Sequence, residues 1–318
     1  MKNENLRRII AITFFSLFVF VFSSASISYG DNGISEELTR DKRYIYPITY
    51  DSPEWQDFDG VNEKLQACRI PEELLKEMSV EQLVDAVIDF PLLVNVVLYN
   101  SSEEGLEALS QQSDAYRELL SREGGKEAFM EKVKTFAYLE PSEDKSDLLF
   151  LQILLDENDI RNSNTMNKLS YVKTPKGTKV EVTEPKDISK SEKDKIVRQI
   201  KKAYPKIEIL RDPDGRYNCH SYAWYSTSSS NKYWMNDPSA YMSDGSYETD
   251  YILSASKNTR MYYDGGGHSA MVDIAGPVKG KEYIRVISKW GRGPLVRHYA
   301  KECPYYSLTD NLYLWRRK

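Results

Sequence analysis

Tyr217-Asn218-Cys219-His220-Ser221-Tyr222-Ala223-Trp224-Tyr225 follows a turn-rich segment, Arg211-Asp212-Pro213-Asp214-Gly215, and opens a run with helical spacing in which Tyr222 and Ala223 fall three and four residues after Cys219. A cysteine in the first turn of a helix lies against backbone N–H groups that lack intrahelical partners and against the positive end of the helix dipole, and both favour thiolate over thiol. The stretch therefore predicts a cysteine nucleophile on a helix, whose base must come from elsewhere in the chain. The supply is short. The sequence holds 3 histidines, His220, His268 and His298, all in its last third. His220 adjoins Cys219 and on a helix would point about 100° away from it, so it reads as a packing or substrate-facing residue rather than as the base.

His268 follows Gly265-Gly266-Gly267 and begins the alternating run His268-Ser269-Ala270-Met271-Val272. A histidine at the head of a strand, with Ala270 and Val272 on its own face, is expected at the sheet edge above the core. The glycines let a loop approach closely, which suits one wall of a site. Placed against the Cys219 helix, the imidazole would take the thiol proton and later protonate the leaving amine. A third group should fix the ring's tautomer, and Ser288, Lys289 and His298 are the polar candidates on the following strands.

Asn218-Cys219-His220-Ser221-Tyr222-Ala223-Trp224 resembles the Cys-x-x-Tyr-Ala-Trp opening of CHAP domains, the cysteine- and histidine-dependent amidohydrolase/peptidases of the papain-like group, and His268-Ser269-Ala270-Met271-Val272 is similar to their His-Val-Ala-x-Val strand. The resemblance covers about 205 to 300. It implies a papain-like α+β fold with a cysteine-bearing helix packed on an antiparallel sheet, Cys219 as nucleophile, His268 as base, an oxyanion hole using the Cys219 backbone N–H, and cleavage of amide bonds, typically in peptidoglycan. Ser288 and His298 stand as candidates for the third catalytic position, and Asn218, His220, Trp224 and Trp290 as candidates for substrate binding. The family commonly carries Glu, Asn or His on the strand after the histidine, where this chain has Ile287-Ser288-Lys289-Trp290-Gly291, and the insertion from Ser226 to Gly267 is long.

The N-terminus reads as an export signal: Lys2, Arg7 and Arg8 precede an apolar run from Ile9 to Phe22, and Ser23-Ser24-Ala25-Ser26 offers small residues for cleavage. The apolar core is short of the ~20 residues that span a bilayer, so the expectation is a secreted or cell-surface protein with no stable membrane insertion once residues 1–28 are removed. The net charge of −5 becomes more negative without that basic leader, which disfavours nucleic acid as a partner. An odd count of 3 cysteines, Cys68, Cys219 and Cys303, implies a free thiol or intermolecular pairing. Pairing of Cys68 with Cys303 and a disulfide-free chain are equally open. No cofactor is expected. A zinc site from Cys219, His220, His268 and His298 would need adjacent ligands and lacks a second cysteine pair.

Residues 29–52 read as a linker and 53–160 as an all-α helical domain without a catalytic motif, a packing or partner-binding module. Pro71 opens a helix at Glu72, Ser79 to Gln82 is a capping box, Leu92 to Tyr99 is nearly all apolar, and Ser101-Ser102-Glu103-Glu104 caps the next helix. After a polar, Asn-rich boundary from Asn158 to Lys168, residues 168–318 read as the α+β hydrolase domain. It contains a hairpin from Tyr171 to Val182, a helix capped by Ser189 and Glu192, a loop from Ser226 to Tyr251, and strands over Ser269 to Ile274, Tyr283 to Lys289, Leu295 to Tyr299 and Asn311 to Trp315. The expected substrate is a cell-wall peptide or protein. Two other functions fit the same residues: a transglutaminase-like acyl transfer, for which Asp273 is poorly placed as the third group, and a non-catalytic extracellular module whose aromatic residues bind glycan or protein.

Overall fold

Apolar spacing and local caps set the helices of the first half. Ser79 accepts from the Gln82 amide while the Gln82 side chain answers the Ser79 amide, so the capping box starts the Val80–Ile88 helix, whose Leu83, Val84, Val87 and Ile88 are buried. Ser101 caps Ser102–Gln112 and Ser113 caps Asp114–Ser121 in the same way. Between the Val80–Ile88 and Ser102–Gln112 helices Leu92 to Tyr99 is buried throughout and turns as a 3-10 segment, Leu93–Val97. The computed structural model describes residues 43–138, 146–155, 168–252, 254–263, 267–278, 281–306 and 311–318. The segment read as an export signal, the part read as a linker up to residue 42, the boundary residues before Lys168, and Gly265 and Gly266 lie outside the described residues. No helix among the described residues is long and apolar enough to cross a membrane.

The second half is built on strands, and the fold as a whole is α+β with antiparallel sheets. The expected hairpin forms as β1 (Lys168–Lys173) and β2 (Lys179–Glu184). A seven-stranded antiparallel sheet takes the order β3-β8-β7-β6-β5-β9-β4, with β3 Glu208–Arg211, β4 Tyr247–Asp250, β5 Arg260–Tyr263, β6 His268–Val278, β7 Lys281–Lys289, β8 Leu295–Tyr299 and β9 Leu312–Arg317. Within the stretch expected to be loop, Ser239–Ser243 is a short helix and β4 pairs with the last strand. The Ser189–Glu192 capping box starts the Lys190–Ala203 helix.

Alternation along β6 sends its side chains to two cores. Ala270 and Val272 join the larger one, with Tyr263, Val286, Trp290 and the helices of the first half. Met271 joins the smaller one, with Tyr222, Ala223, Trp224 and the β1–β2 hairpin. Residues Arg43–Lys318 form one compact unit, and the larger core crosses the polar boundary at which the sequence divides. Trp55 donates to the Ala203 carbonyl at 3.0 Å and the Tyr204 hydroxyl to Asn95 at 2.6 Å. Part of the stretch read as a linker is packed as well, since the buried Tyr46 donates to the Ala86 carbonyl and Arg43 pairs with Asp89.

Candidate functional site

Asn218 starts the cysteine-bearing turn. Its side-chain carbonyl accepts from the Ser221 amide at 3.1 Å and from the Met235 amide at 3.2 Å, and its NH2 group donates to the Met235 carbonyl at 2.7 Å. Cys219 and His220 are helical and continue into a π-turn, Ser221–Tyr225, closed by the Ser226 amide on the Ser221 carbonyl. The expected helix is therefore present but short. Asn218 caps it instead of lining a cleft, because its polar atoms are consumed by the backbone around it.

Cys219 is fully buried. Its thiol lies 3.5 Å from the Asn100 side-chain oxygen, and the backbone N–H groups of Ser269 and His220 are directed at the sulfur. Burial outweighs these donors and pushes the thiol up to about 12. That corrects the expectation of a thiolate at a helix start: in this conformation the desolvation cost exceeds what a turn and a half of helix supplies, and Cys219 is a neutral thiol. Cys68 and Cys303 are also buried and free, so no disulfide joins them.

His268 is likewise fully buried at the head of β6, with its ring stacked on Tyr305 at 4.2 Å and edge-on to Tyr263 at 5.3 Å. Neither ring nitrogen has a hydrogen-bond partner among the described residues. Desolvation, with the neighbouring His220 and His298 adding to it, holds the ring well below its ordinary range. The expected Cys219–His268 hydrogen bond is absent. The sulfur instead reaches the Ser269 amide, one residue past His268, while the aromatic residues of the cysteine turn pack on the Met271 face of β6, opposite the face that carries His268 and Ala270.

The expected third group does not orient His268 either. Ser288 and His298 pair with each other at 2.8 Å, and the second His298 nitrogen lies 2.8 Å from the Tyr299 carbonyl. That carbonyl requires the proton on Nδ1, so Nε2 accepts from the Ser288 hydroxyl and both nitrogens are used. Lys289 is buried, donates to the Gly291 carbonyl at 2.6 Å, and lies over the Tyr217 ring at 5.1 Å; burial pulls its ammonium down to about 7. Trp290 packs in the larger core against Tyr204 and His298, far from a substrate-facing position.

His220 and Trp224 converge on Ser269. The His220 Nδ1 lies 2.7 Å from the Ser269 hydroxyl, and the Trp224 N–H donates to the same oxygen at 2.9 Å. A ring N–H of His220 also faces the Gly267 carbonyl, and burial draws the ring down to about 4. Asp273 is held by Arg285 at 2.9 Å and Arg297 at 3.2 Å, which removes it from the role a transglutaminase-like site would need.

Asn100, from the apolar turn of the first half, is the residue that sequence reasoning missed. Its side-chain oxygen accepts from Asn218 at 3.1 Å and faces the Cys219 thiol, and its NH2 group donates to the Gly267 carbonyl at 3.2 Å. It thus ties the cysteine turn to the loop before His268. The chain on either side is fastened too. The Tyr305 hydroxyl donates to the Leu98 carbonyl at 2.9 Å and the Tyr99 hydroxyl to the Pro304 carbonyl at 2.9 Å. At Gly291, with φ +45°, an added Cβ would lie 2.3 Å from the Tyr99 carbonyl oxygen, so Leu98 to Asn100 presses directly on the sheet half. No group of three His, Cys, Asp or Glu residues among those described is arranged to hold a metal ion. Compared with known protein families, with curated proteins and with solved structures, the chain matches none.

Proposed function

We propose that the chain is an exported, papain-like cysteine hydrolase that cleaves an amide bond in peptidoglycan stem peptides or cross-bridges. One observation carries this reading: a fully buried imidazole, His268, has no partner for either nitrogen among the described residues, one residue before the serine to which the Cys219 turn is bonded. An unsatisfied buried polar group costs roughly 1–3 kcal/mol, and a chain that keeps one gains something by it. Catalytic hydrogen bonds are often long or unmade before substrate arrives and tighten in the complex. The substrate class rests on the resemblance of the cysteine and histidine segments to CHAP domains, together with the export signal.

In this reading His268 takes the Cys219 proton as the sulfur attacks the substrate carbonyl. The imidazolium then gives that proton to the departing amine, leaving a thioester on Cys219. His268 next removes a proton from water, hydroxide adds to the thioester, and the acid leaves as the thiol is restored. The buried thiol at about 12 belongs to a resting form in which the Asn100 side chain, at the end of the Leu98 to Asn100 strap, meets the sulfur. Substrate entry requires that strap to lift, and water and the freed imidazole then lower the thiol's pKa.

The test is hydrolysis of purified peptidoglycan by the full chain, with released amino groups and acids counted. Cys219→Ala is expected to lose hydrolysis while keeping its circular dichroism spectrum. Full activity in that variant would remove the proposal, and isopeptide products in place of free acid would redirect it to acyl transfer.

A further inference from the structure

We propose that His220 and Ser269 form a positioning brace that holds the Cys219 turn on the strand that carries His268, a role that rests on the hydrolase reading above. Each brace residue sits one position beyond a proposed catalytic residue, and the two are joined at 2.7 Å. The path from Cys219 to His220, across to Ser269 and back to His268 is therefore short, linking a turn and a strand that are distant in sequence.

The His220–Ser269 bond fixes direction. On a strand, neighbouring side chains point to opposite faces. Ser269 turned toward His220 obliges His268 to turn toward Tyr305 and Tyr263, where its ring is found. On the helical turn, His220 lies about 100° from Cys219; with the imidazole held on Ser269, the sulfur is directed at the Ser269 amide.

The brace is also fully satisfied. The carbonyl of Gly267 faces a ring N–H of His220, which leaves Nδ1 as an acceptor for the Ser269 hydroxyl, and that hydroxyl's oxygen accepts from Trp224 at 2.9 Å. The His220 ring stacks on Tyr262 at 6.0 Å. Both brace residues are buried, so neither bond exchanges with water, and the loss of either partner leaves the other unpaired. The difference between the two histidines follows: His220 has its polar atoms engaged and holds geometry, whereas His268 has none engaged and stays available.

The experiment compares full-length wild type with Ser269→Ala, Ser269→Thr, His220→Leu and His220→Asn. Three readouts are taken: kcat and KM on soluble muropeptides, thermal melting, and the pH profile of iodoacetamide alkylation at Cys219 resolved by peptide mapping. Misplacement of a reacting group by about 1 Å costs on the order of a hundredfold. Ser269→Ala and His220→Leu are therefore expected to lose kcat by about that factor with KM within a few-fold, and to lose the mildly acidic limb of the alkylation profile while keeping the alkaline limb. Ser269→Thr keeps the hydroxyl and His220→Asn keeps a polar atom near the Nδ1 position, so both should recover most of kcat and the acidic limb. Wild-type kcat and an unchanged profile in Ser269→Ala would overturn the brace, as would losses that follow only the melting temperature and are not rescued by Thr or Asn. Abolished hydrolysis in Ser269→Ala with the Cys219 profile intact would also overturn it, by making Ser269 the nucleophile. Failure of the hydrolase reading looks different, because Cys219→Ala would then keep its activity.

Discussion

Two sealed pockets on the sheet half each hold an imidazole, and they treat it in opposite ways. His298 has the Ser288 hydroxyl on one nitrogen and the Tyr299 carbonyl on the other, each at 2.8 Å. His268 has an aromatic ring on its face and, among the described residues, no partner on either nitrogen. Both are buried, and burial depresses both. A buried imidazole whose bonds are complete acts as a structural strut, since removing it leaves a hydroxyl and a carbonyl orphaned. A buried imidazole with no bonds is held neutral by burial and keeps its nitrogens open to a proton once substrate and water enter, which is what a general base needs.

The largest effect that would sharpen this contrast is catalytic. His268→Gln is expected to reduce peptidoglycan hydrolysis by about a thousandfold, within the span found for general bases, while its melting temperature stays level or rises. Retained activity, or a clear loss of stability, would collapse the distinction between the pockets.

A smaller effect is thermodynamic and depends on pH. His220 and His298 are held down to about 4 in the fold, against an ordinary value near 6.5. Between those values the unfolded chain binds protons that the folded chain does not, so stability falls as pH drops from about 6.5 to about 4 and levels off below, by on the order of 3 kcal/mol for each ring. Lys289, at about 7 in the fold, works in the same sense at higher pH: stability rises from about pH 7 until the ordinary cysteine value near 8.5, above which the raised thiols of Cys68 and Cys219 act in the opposite sense. Urea titrations across this range check the sign, and a chain most stable at pH 5 would contradict it.

His298→Ala is expected to cost about 2–3 kcal/mol in the same titrations, by orphaning the Ser288 hydroxyl and the Tyr299 carbonyl, with the chemistry of Cys219 unchanged. The smallest effect concerns the strap. Asn100→Ala removes the link from Asn218 and Cys219 to Gly267 and should raise the rate of Cys219 alkylation several-fold. No rise would mean that Asn100 does not control access.

Much of the fold was legible because its causes are local. The capping boxes at Ser79 and Ser189, the hairpin turn between Lys173 and Lys179, and the alternating runs of β7 and β8 are written in neighbouring residues. β3 and β4 were missed because Glu208–Arg211 and Tyr247–Asp250 are short and half polar, and become strands only through pairing with β8 and β9. In the site, the sequence located the cysteine turn and the histidine strand but misjudged their contact. Which face of β6 meets the turn is decided by Met271 and Trp224 packing with the hairpin, a non-local event. Asn100 had no signature of its own. Its place depends on the shared core that brings Tyr99 against Tyr305 at 4.2 Å, and nothing near Asn100 in the sequence announces that docking.

The most direct test of the account is the rate of iodoacetamide alkylation at Cys219 in wild type and His268→Gln, followed from pH 5 to pH 10 with the modified peptide identified. A cysteine–imidazole pair that forms whenever the Asn100 cover opens predicts a limb of reactivity at mildly acidic pH in the wild type that disappears in His268→Gln. Superimposable profiles, both rising only as the buried thiol itself ionises, would mean that the two side chains do not share a proton and that the chain is not a cysteine hydrolase of this kind.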